Sequence, residues 1–558
     1  MRGRAPRPSK RSKARRLWGS KKRVPQASRF LRPGFLANSL FLSSLKKLVL
    51  GKSRPDCRPS EYTSLRLPLL PRRDRSLPTG QNMRTDKPRE RSHKWDRGGF
   101  GASRSVCALF LFCALMATAS PAQTFKTLVN FDGSNGARPF DPPVQGLDGK
   151  FYGTTFQGGP DNWGTVFKIN SAGQLTTIYN FCARTNCNDG ANPLAPLVLG
   201  TDGNFYGLAG GVPGHHAIFF KITPAGKITK LYAFCSHTRG RCGYEPGSSA
   251  LIQGTDGNFY GTSSFGPSGG FVYKLTPQGS FTVLYSFCSK LHCSDGSDPI
   301  GGLVQGFDGN FYGTTIGGGA NERNGTVFKI TPAGELTTLY NFCSLTDCAD
   351  GAHPEGTLVE AANGIFYGTT AEGGATNTGT VFKMTPEGHL TTLYSFCTQT
   401  GCPDGGSPSN GLVQGPAGNF YGTAGTIFRI TPSGQFTLLY APDSMPNGIT
   451  LGTDGKFYGT TNEGGTSNAG FLFSLAIGLG PFVQTVQASG EVGAPVTILG
   501  TNLIGATSVT FNGTAATFTV ASSSEIDTTV PTGAATGKVV VVTPEHKLST
   551  NVPFRVTK

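Results

Sequence analysis

The triplet Phe-Tyr-Gly occurs seven times, with its tyrosine at Tyr152, Tyr206, Tyr260, Tyr312, Tyr367, Tyr421 and Tyr458. The intervals are 54, 54, 52, 55, 54 and 37 residues. A period near fifty, with the same segments in the same order each time, restricts the chain to folds that stack one supersecondary unit. A strand-like run opens each unit, as at Leu175–Phe181, Ile228–Phe234, Phe281–Phe287, Leu336–Phe342 and Leu390–Phe396. A short apolar piece such as Leu303–Gly306 follows, then the Asp308–Thr315 type of segment. A Gly-rich loop then leads to the Gly325–Gly334 type of segment. The first copy opens at Phe125 and the last closes near Leu475.

Each unit therefore offers four short strands rich in aromatic and β-branched residues. Asp-Gly at 148–149, 202–203, 256–257, 308–309 and 454–455 suits a tight hairpin turn, since Gly accepts positive φ and Asp bonds back to the backbone. Thr-Pro-x-Gly at 223–226, 276–279, 331–334, 385–388 and 431–434 suits a second turn. Gly (79) and Pro (37) make up roughly one residue in five, which removes long helices and coiled coils from consideration. Phe311 and Tyr312 must point to opposite faces, as must Val327 and Phe328, so both faces of each sheet are apolar and both must be covered. Four-stranded units buried on two sides predict a β-propeller, and seven copies predict seven blades over 123–478. A linear solenoid is the alternative, but it needs polar capping units, and neither terminal copy looks like one. The short last copy, Phe436–Leu475, keeps four strand segments and reads as a trimmed blade.

The net charge of +17 divides unevenly. Residues 1–104 carry 29 basic and 6 acidic side chains, while 105–558 carry 21 basic and 27 acidic ones. The basic end has no motif of a nucleic-acid module, so no nucleic-acid partner is expected. Val106–Ala117 is an apolar run of 12, too short to span a bilayer comfortably but the length of a signal-peptide core. Arg97 and Arg104 precede it, and Ala117–Ala122 offers small residues for cleavage. The expected organisation is a basic extension over 1–82, from an over-extended start with Met83 the biological one, and a signal peptide over 83–122. The alternative is an uncleaved membrane anchor, the one route by which a membrane would be a partner.

Of the 13 cysteines, ten form local pairs: Cys182 with Cys187, Cys235 with Cys242, Cys288 with Cys293, Cys343 with Cys348, and Cys397 with Cys402. Each pair follows the first strand of a unit and brackets an insertion, since unit one runs directly from Asn130-Phe131 to Asp132-Gly133. Even local pairing in an exported chain predicts five disulfides. Zinc sites call for a second Cys or His pair nearby, and His237 and His292 do not recur in other units, so no metal is expected.

No catalytic set or cofactor motif stands out, and none is predicted. Asp189, Asp295, Asp350 and Asp404, each in D-G-x-x-P, are candidate ligand residues for Ca²⁺ on one face, against the plainer role of closing the stapled loop through Asx-type turns. Lys168, Lys221, Lys274, Lys329 and Lys383, with Arg429 in the equivalent place, either line a channel or sit as edge residues. The repeated Tyr179, Tyr232, Tyr285, Tyr340, Tyr394 and Tyr440 are read as packing between blades rather than as a sugar-stacking ring. His215 and His216 interrupt a loop that is Gly-rich in the other copies, and are nominated as ligand-binding residues.

The units, of the form DGNFYGTT…GTVFKITPAGxLTTLYNF, closely resemble the GloVer tandem repeat of bacterial exported proteins, of the choice-of-anchor group, over about 125–475. That resemblance implies an extracellular location and brings no established activity. Residues 479–558 resemble an IPT/TIG domain through Val496–Leu503, Gly505–Gly513, Ala516–Phe518 and Gly537–Thr543, with alternation at Val509/Phe511 and Val539/Val541. This implies a small immunoglobulin-like β-sandwich. The fold expected is thus all-β, a seven-bladed β-propeller followed by that sandwich. The function expected is surface binding or adhesion, secreted or at the cell surface, with an extracellular glycan or protein as partner. The alternatives are a propeller lyase or hydrolase, faintly similar to streptogramin lyases, and a structural envelope protein.

Overall fold

The computed structural model describes residues 123–211, 216–234, 247, 249–266, 269–321 and 323–557. The leader, with the readings placed on 1–82 and 83–122, lies outside the described residues, as does His215. Cys235 and Cys242 lie outside them too, so four of the five expected disulfides fall on described residues.

Seven antiparallel sheets, six of four strands and one of five, follow one another along the chain. In blade one the strands are β2 (Val144–Gln145), β3 (Phe151–Thr155), β4 (Thr165–Ile169) and β5 (Leu175–Asn180), hydrogen-bonded in that order. The two-residue β2 is innermost, where short strands of neighbouring blades meet. Blades two to six repeat this plan, with inner strands at Val198–Leu199, Ile252–Gln253, Val304–Gln305, Val359–Glu360 and Val413–Gln414. Blade two carries one additional short strand, Ala191–Pro193.

Blade seven is built differently. Its inner three strands are Pro446–Leu451, Lys456–Thr461 and Phe471–Ala476, and its outer strand is β1 (Thr124–Asn130) from the beginning of the domain. The register runs from Thr124 opposite Ala476 to Asn130 opposite Phe471. Seven blades are present, as the copy number predicts. The sequence unit, however, is offset from the blade by one strand: Phe436–Tyr440 is the outer strand of blade six, not the opening of blade seven. Ring closure thus pairs the two ends of the repeat array and covers the edge that Phe471–Ala476 would otherwise expose.

The Phe-Tyr-Gly triplet explains why the blades assemble. Phe and Tyr point to opposite faces, and each Tyr stacks on the Phe of the following blade. The seven contacts are Tyr152–Phe205, Tyr206–Phe259, Tyr260–Phe311, Tyr312–Phe366, Tyr367–Phe420, Tyr421–Phe457 and Tyr458–Phe151, with ring centroids 3.9–4.6 Å apart. The last of these returns to the first blade, so the cycle is complete. Each pair contributes about 0.5–1.5 kcal/mol beyond the area it buries. The Gly of the triplet is equally constrained: a Cβ on Gly313 would stand 2.6 Å from Phe328.

A second set of contacts, shown at four of the seven seams, lies on the inner strands. The carboxamides of Gln145, Gln253 and Gln305 each accept the backbone N–H of the preceding blade's turn, at Thr453, Thr201 and Thr255 respectively, all at 2.9 Å. In blade five the residue is Glu360, which accepts from Phe307 N–H at 2.9 Å. Blade seven has Leu451 at this position, and the blade-six turn it follows carries Pro416, which has no N–H to offer.

After the ring, two four-stranded sheets face one another over a core of Val496, Ile498, Val509, Phe511, Ile526 and Val541. One sheet contains Pro495–Leu499 and Glu525–Thr529, the other Ser508–Phe511 and Val539–Val542. The strict alternation of buried and partly exposed residues along Val539–Val542 is that of a sandwich with one face inward.

Candidate functional site

The blade plan puts the Asp-Gly and Thr-Pro-x-Gly turns on one side of the ring, the turn face, and the Gly-rich and stapled loops on the other. On the loop face, disulfides join Cys182–Cys187, Cys288–Cys293, Cys343–Cys348 and Cys397–Cys402. The sequence reading of five bridges thus becomes four among the described residues. The remaining pair, Cys235 with Cys242, departs from the other four in its spacing, with six intervening residues instead of four, and Cys242 has no counterpart at that separation in any other unit.

Two residues beyond each of the four closed loops lies the D-G-x-x-P aspartate, almost wholly buried. Asp350 accepts from Tyr340 O–H (2.7 Å), Ser344 N–H (2.9 Å), Ser344 O–H (2.9 Å) and Leu345 N–H (3.2 Å). Asp295 has the same four donor types, from Tyr285, Ser289 and Lys290. Asp189 accepts from Tyr179 O–H, Ala183 N–H and Arg184 N–H, and Asp404 from Tyr394 O–H and Cys397 N–H. Burial works against the Asp295 carboxylate, yet the hydrogen bonds from Tyr285 and Ser289 hold its pKa below the usual value. These four carboxylates are spent on their own loops, in different blades, and the structure brings no two of them together. Four of the repeated tyrosines, Tyr179, Tyr285, Tyr340 and Tyr394, are spent with them, and the rings pack between blades, as Tyr394 does against Phe436 at 4.3 Å and Tyr440 against Phe125 at 4.2 Å. His216 is exposed, just before the strand Ile218–Ile222 of blade two.

On the turn face each blade builds a small polar set. The aspartate of the Asp-Gly turn accepts the phenolic O–H of the Phe-Tyr-Gly tyrosine in five blades: Asp148, Asp202, Asp256, Asp308 and Asp454, at 2.7–3.0 Å. In blades two and four the repeated lysine, cross-strand from that tyrosine, completes the set: Lys221 meets Asp202 and Lys329 meets Asp308, both at 2.8 Å. Burial raises the Asp308 carboxyl, but Lys329, Asn310 and Tyr312 more than offset this and bring it to about 2. These lysines therefore lie over their tyrosine rings on the turn face rather than in a channel.

The sandwich docks on this same face. Ser524 Oγ donates to Leu147 O of blade one (2.6 Å), Thr453 of blade seven meets Thr501 (2.7 Å), and Phe482 N–H donates to Thr453 O (3.0 Å). Arg555 Nη1 reaches Gly306 O of blade four at 3.2 Å. In a ring of seven, blade four stands opposite the seam between blades seven and one. A domain touching all three blades lies across the mouth of the ring. Glu360 sits beneath Arg555: burial and the nearby Asp308 push its carboxyl up, the Phe307 N–H and Arg555 oppose this, and the outcome is about 7.

Two carboxyls missed by sequence reasoning occupy the segments that run from the loop face into the inner strands. Asp141 is raised to about 8 by burial alone. Glu355 is raised to about 7 by burial, against the nearby His353, whose Nδ1 lies 3.1 Å from Glu372. The signal was present: where Asp141 stands, blades four and five have Gly301 and Gly356, and blade six has Asn410. No group of three or more His, Cys, Asp or Glu able to hold a metal occurs among the described residues.

Seven radial sheets closed by a strand from the opposite end, with an immunoglobulin-like sandwich across one mouth, define a propeller-based repeat protein. The chain belongs to the family described as the Gloeobacter/Verrucomicrobia repeat, whose profile matches residues 114–292 and 247–473, and residues 481–556 match the IPT/TIG domain. Among solved structures, the chain is similar to a fungal alcohol oxidase of the AA5 family in complex with copper (13% identity, TM-score 0.43, covering 78% of this chain and 99% of that one). It is also similar to an auxiliary nutrient binding protein from Bacteroides thetaiotaomicron (13% identity, TM-score 0.34, 57% and 83% covered). A third is the PQQ-bound aldose sugar dehydrogenase from Streptomyces coelicolor (12% identity, TM-score 0.33, 50% and 93% covered). No curated protein sequence matches the chain.

Proposed function

We propose that this protein is an exported binding module, acting in adhesion or capture at the cell surface with an extracellular glycan or protein as partner. The observation that carries this reading is the docking of the sandwich across the ring. It joins the two domains into one block and leaves the loop face as a broad presentation surface of stapled loops. Those loops are held by disulfides, which form in oxidising compartments, so an export route fits the chemistry. Glycan-array and pull-down assays on the whole protein test the reading. Saturable binding without turnover supports it; an absence of binding to every glycan and surface extract sinks it.

A second reading is favoured by Asp141 and Glu355. Carboxyls raised to about 8 and about 7 can move protons near neutral pH, as a lyase or hydrolase requires. Turnover of a polysaccharide, lost in both Asp141→Asn and Glu355→Gln, would favour it.

A further inference from the structure

Blade five breaks the turn-face pattern in one respect. It keeps the tyrosine (Tyr367) and the lysine (Lys383), cross-strand from one another as in the sister blades. The aspartate that would join them is replaced by Asn363, and the neighbouring asparagine by Ile365. Asn363 Oδ1 is used by Ile365 N–H at 3.2 Å, which leaves its amide nitrogen, a donor. No acceptor for the Lys383 ammonium or the Tyr367 hydroxyl occurs among the described residues, whereas Lys329 and Tyr312 share Asp308 in blade four. Residues bearing three donors thus stand on one cavity where other blades hold a carboxylate.

A cavity of about 370 Å³ opens at this place. Asn363, Tyr367 and Lys383 line it, together with Thr385, His389 and Thr391. Ile365, Met384 and Pro432, the last from blade six, supply apolar wall. Its size is at the lower end for a ligand pocket and well above what a bare carboxylate fills. Thr385 Oγ1 is engaged by His389 Nδ1 and the His389 N–H, both at 3.4 Å, and by the Glu387 carboxylate. The Thr391 hydroxyl and His389 Nε2 remain to give or take a hydrogen bond, which suits a ring bearing hydroxyls, and the apolar wall suits the C–H face of such a ring.

We propose that this cavity binds a hexuronate, whose carboxylate takes the position that an aspartate side chain occupies in five other blades. The inference deepens the binding reading by naming a ligand class and its site. It is tested by titration calorimetry of the whole protein with D-galacturonate, D-galactose and N-acetyl-aspartate, and by the Asn363→Asp variant. That substitution installs the residue five sister blades carry, so it folds, and it fills the site from within. Galacturonate is expected to bind saturably. Galactose and N-acetyl-aspartate should bind at least about tenfold more weakly, the loss a charged hydrogen-bonded contact entails. Asn363→Asp should weaken galacturonate by a similar factor without lowering Tm. Absence of galacturonate binding, binding that Asn363→Asp leaves unchanged, or equal affinity for N-acetyl-aspartate would each overturn the assignment. Array binding of other glycans with no binding of galacturonate removes this site while leaving the general binding reading intact.

Discussion

The stapled loop of blade four allows its two fasteners to be compared. Removing the Cys343–Cys348 bridge, as Cys343→Ser/Cys348→Ser, releases a loop closed over a sequence separation of 5. Chain-entropy arguments put a loop that small at about 2 kcal/mol. Asp350 is only 1% exposed and accepts four hydrogen bonds. In Asp350→Ala, the Tyr340 hydroxyl and two backbone N–H groups lose an ionised acceptor inside the fold. Hydrogen bonds to charged groups and orphaned donors together make this at least about 3 kcal/mol, after allowing for donors that water can reach. Asp350→Ala should therefore destabilise more than loss of the disulfide, with Tyr340→Phe costing about 1 kcal/mol. Guanidinium unfolding of the whole protein, followed by tryptophan and tyrosine fluorescence, orders the three variants. If the disulfide variant is the least stable, or Asp350→Ala lies within about 1 kcal/mol of the parent, the carboxylate is not the organiser of the loop.

Three further outcomes follow from the ring. Phe366 is fully buried beneath Tyr312, so Phe366→Ala should cost about 3–5 kcal/mol by denaturant midpoint, and a cost under about 1 kcal/mol would contradict the stacked-ring account. Deleting Thr124–Asn130 exposes the edge of Phe471–Ala476 and should produce concentration-dependent self-association in sedimentation velocity, where a monomer would count against strand closure. Glu360 has a native carboxyl at about 7, above its ordinary 4.5, so the folded state holds a proton that the unfolded chain has released. Its contribution is fully present below about 4.5 and is lost as pH rises to about 7. Glu360→Gln should flatten that part of the Tm profile and raise Tm at pH 8 but not at pH 4; an unchanged profile refutes the burial of this carboxyl.

The repeat was legible because its spacing, turn residues and two-sided apolar strands all agree on one unit. Copy number then equals blade number. The blade boundary was not legible, because periodicity is blind to phase: Phe436–Tyr440 can complete one sheet or begin the next, and only the long-range ladder from Thr124 to Ala476 decides. Four cysteine pairs were readable from their common separation, and the role of Asp350 from the turn chemistry of Asp-Gly. The fifth pair, Cys235 and Cys242, has a longer separation and stays an expectation of the sequence alone. Glu360 was overlooked although four other units have Gln there, since a single substitution inside a repeat carries meaning only once its neighbours in space are known. The contact of Arg555 with Gly306 left no trace in either local sequence, because it depends on how two finished surfaces meet.

Tandem arrays gain and lose units by duplication and deletion, and the stacking of Tyr on the next Phe would accept any number of copies that curvature permits. The C-terminal domain does not share that tolerance. With Ser524 and Thr501 fixed at one rim and Arg555 at the opposite rim, it works as a calliper set to one diameter. A sixth-copy or eighth-copy relative would have to forfeit one jaw or remodel the domain, so the length of this array is policed from outside the array itself.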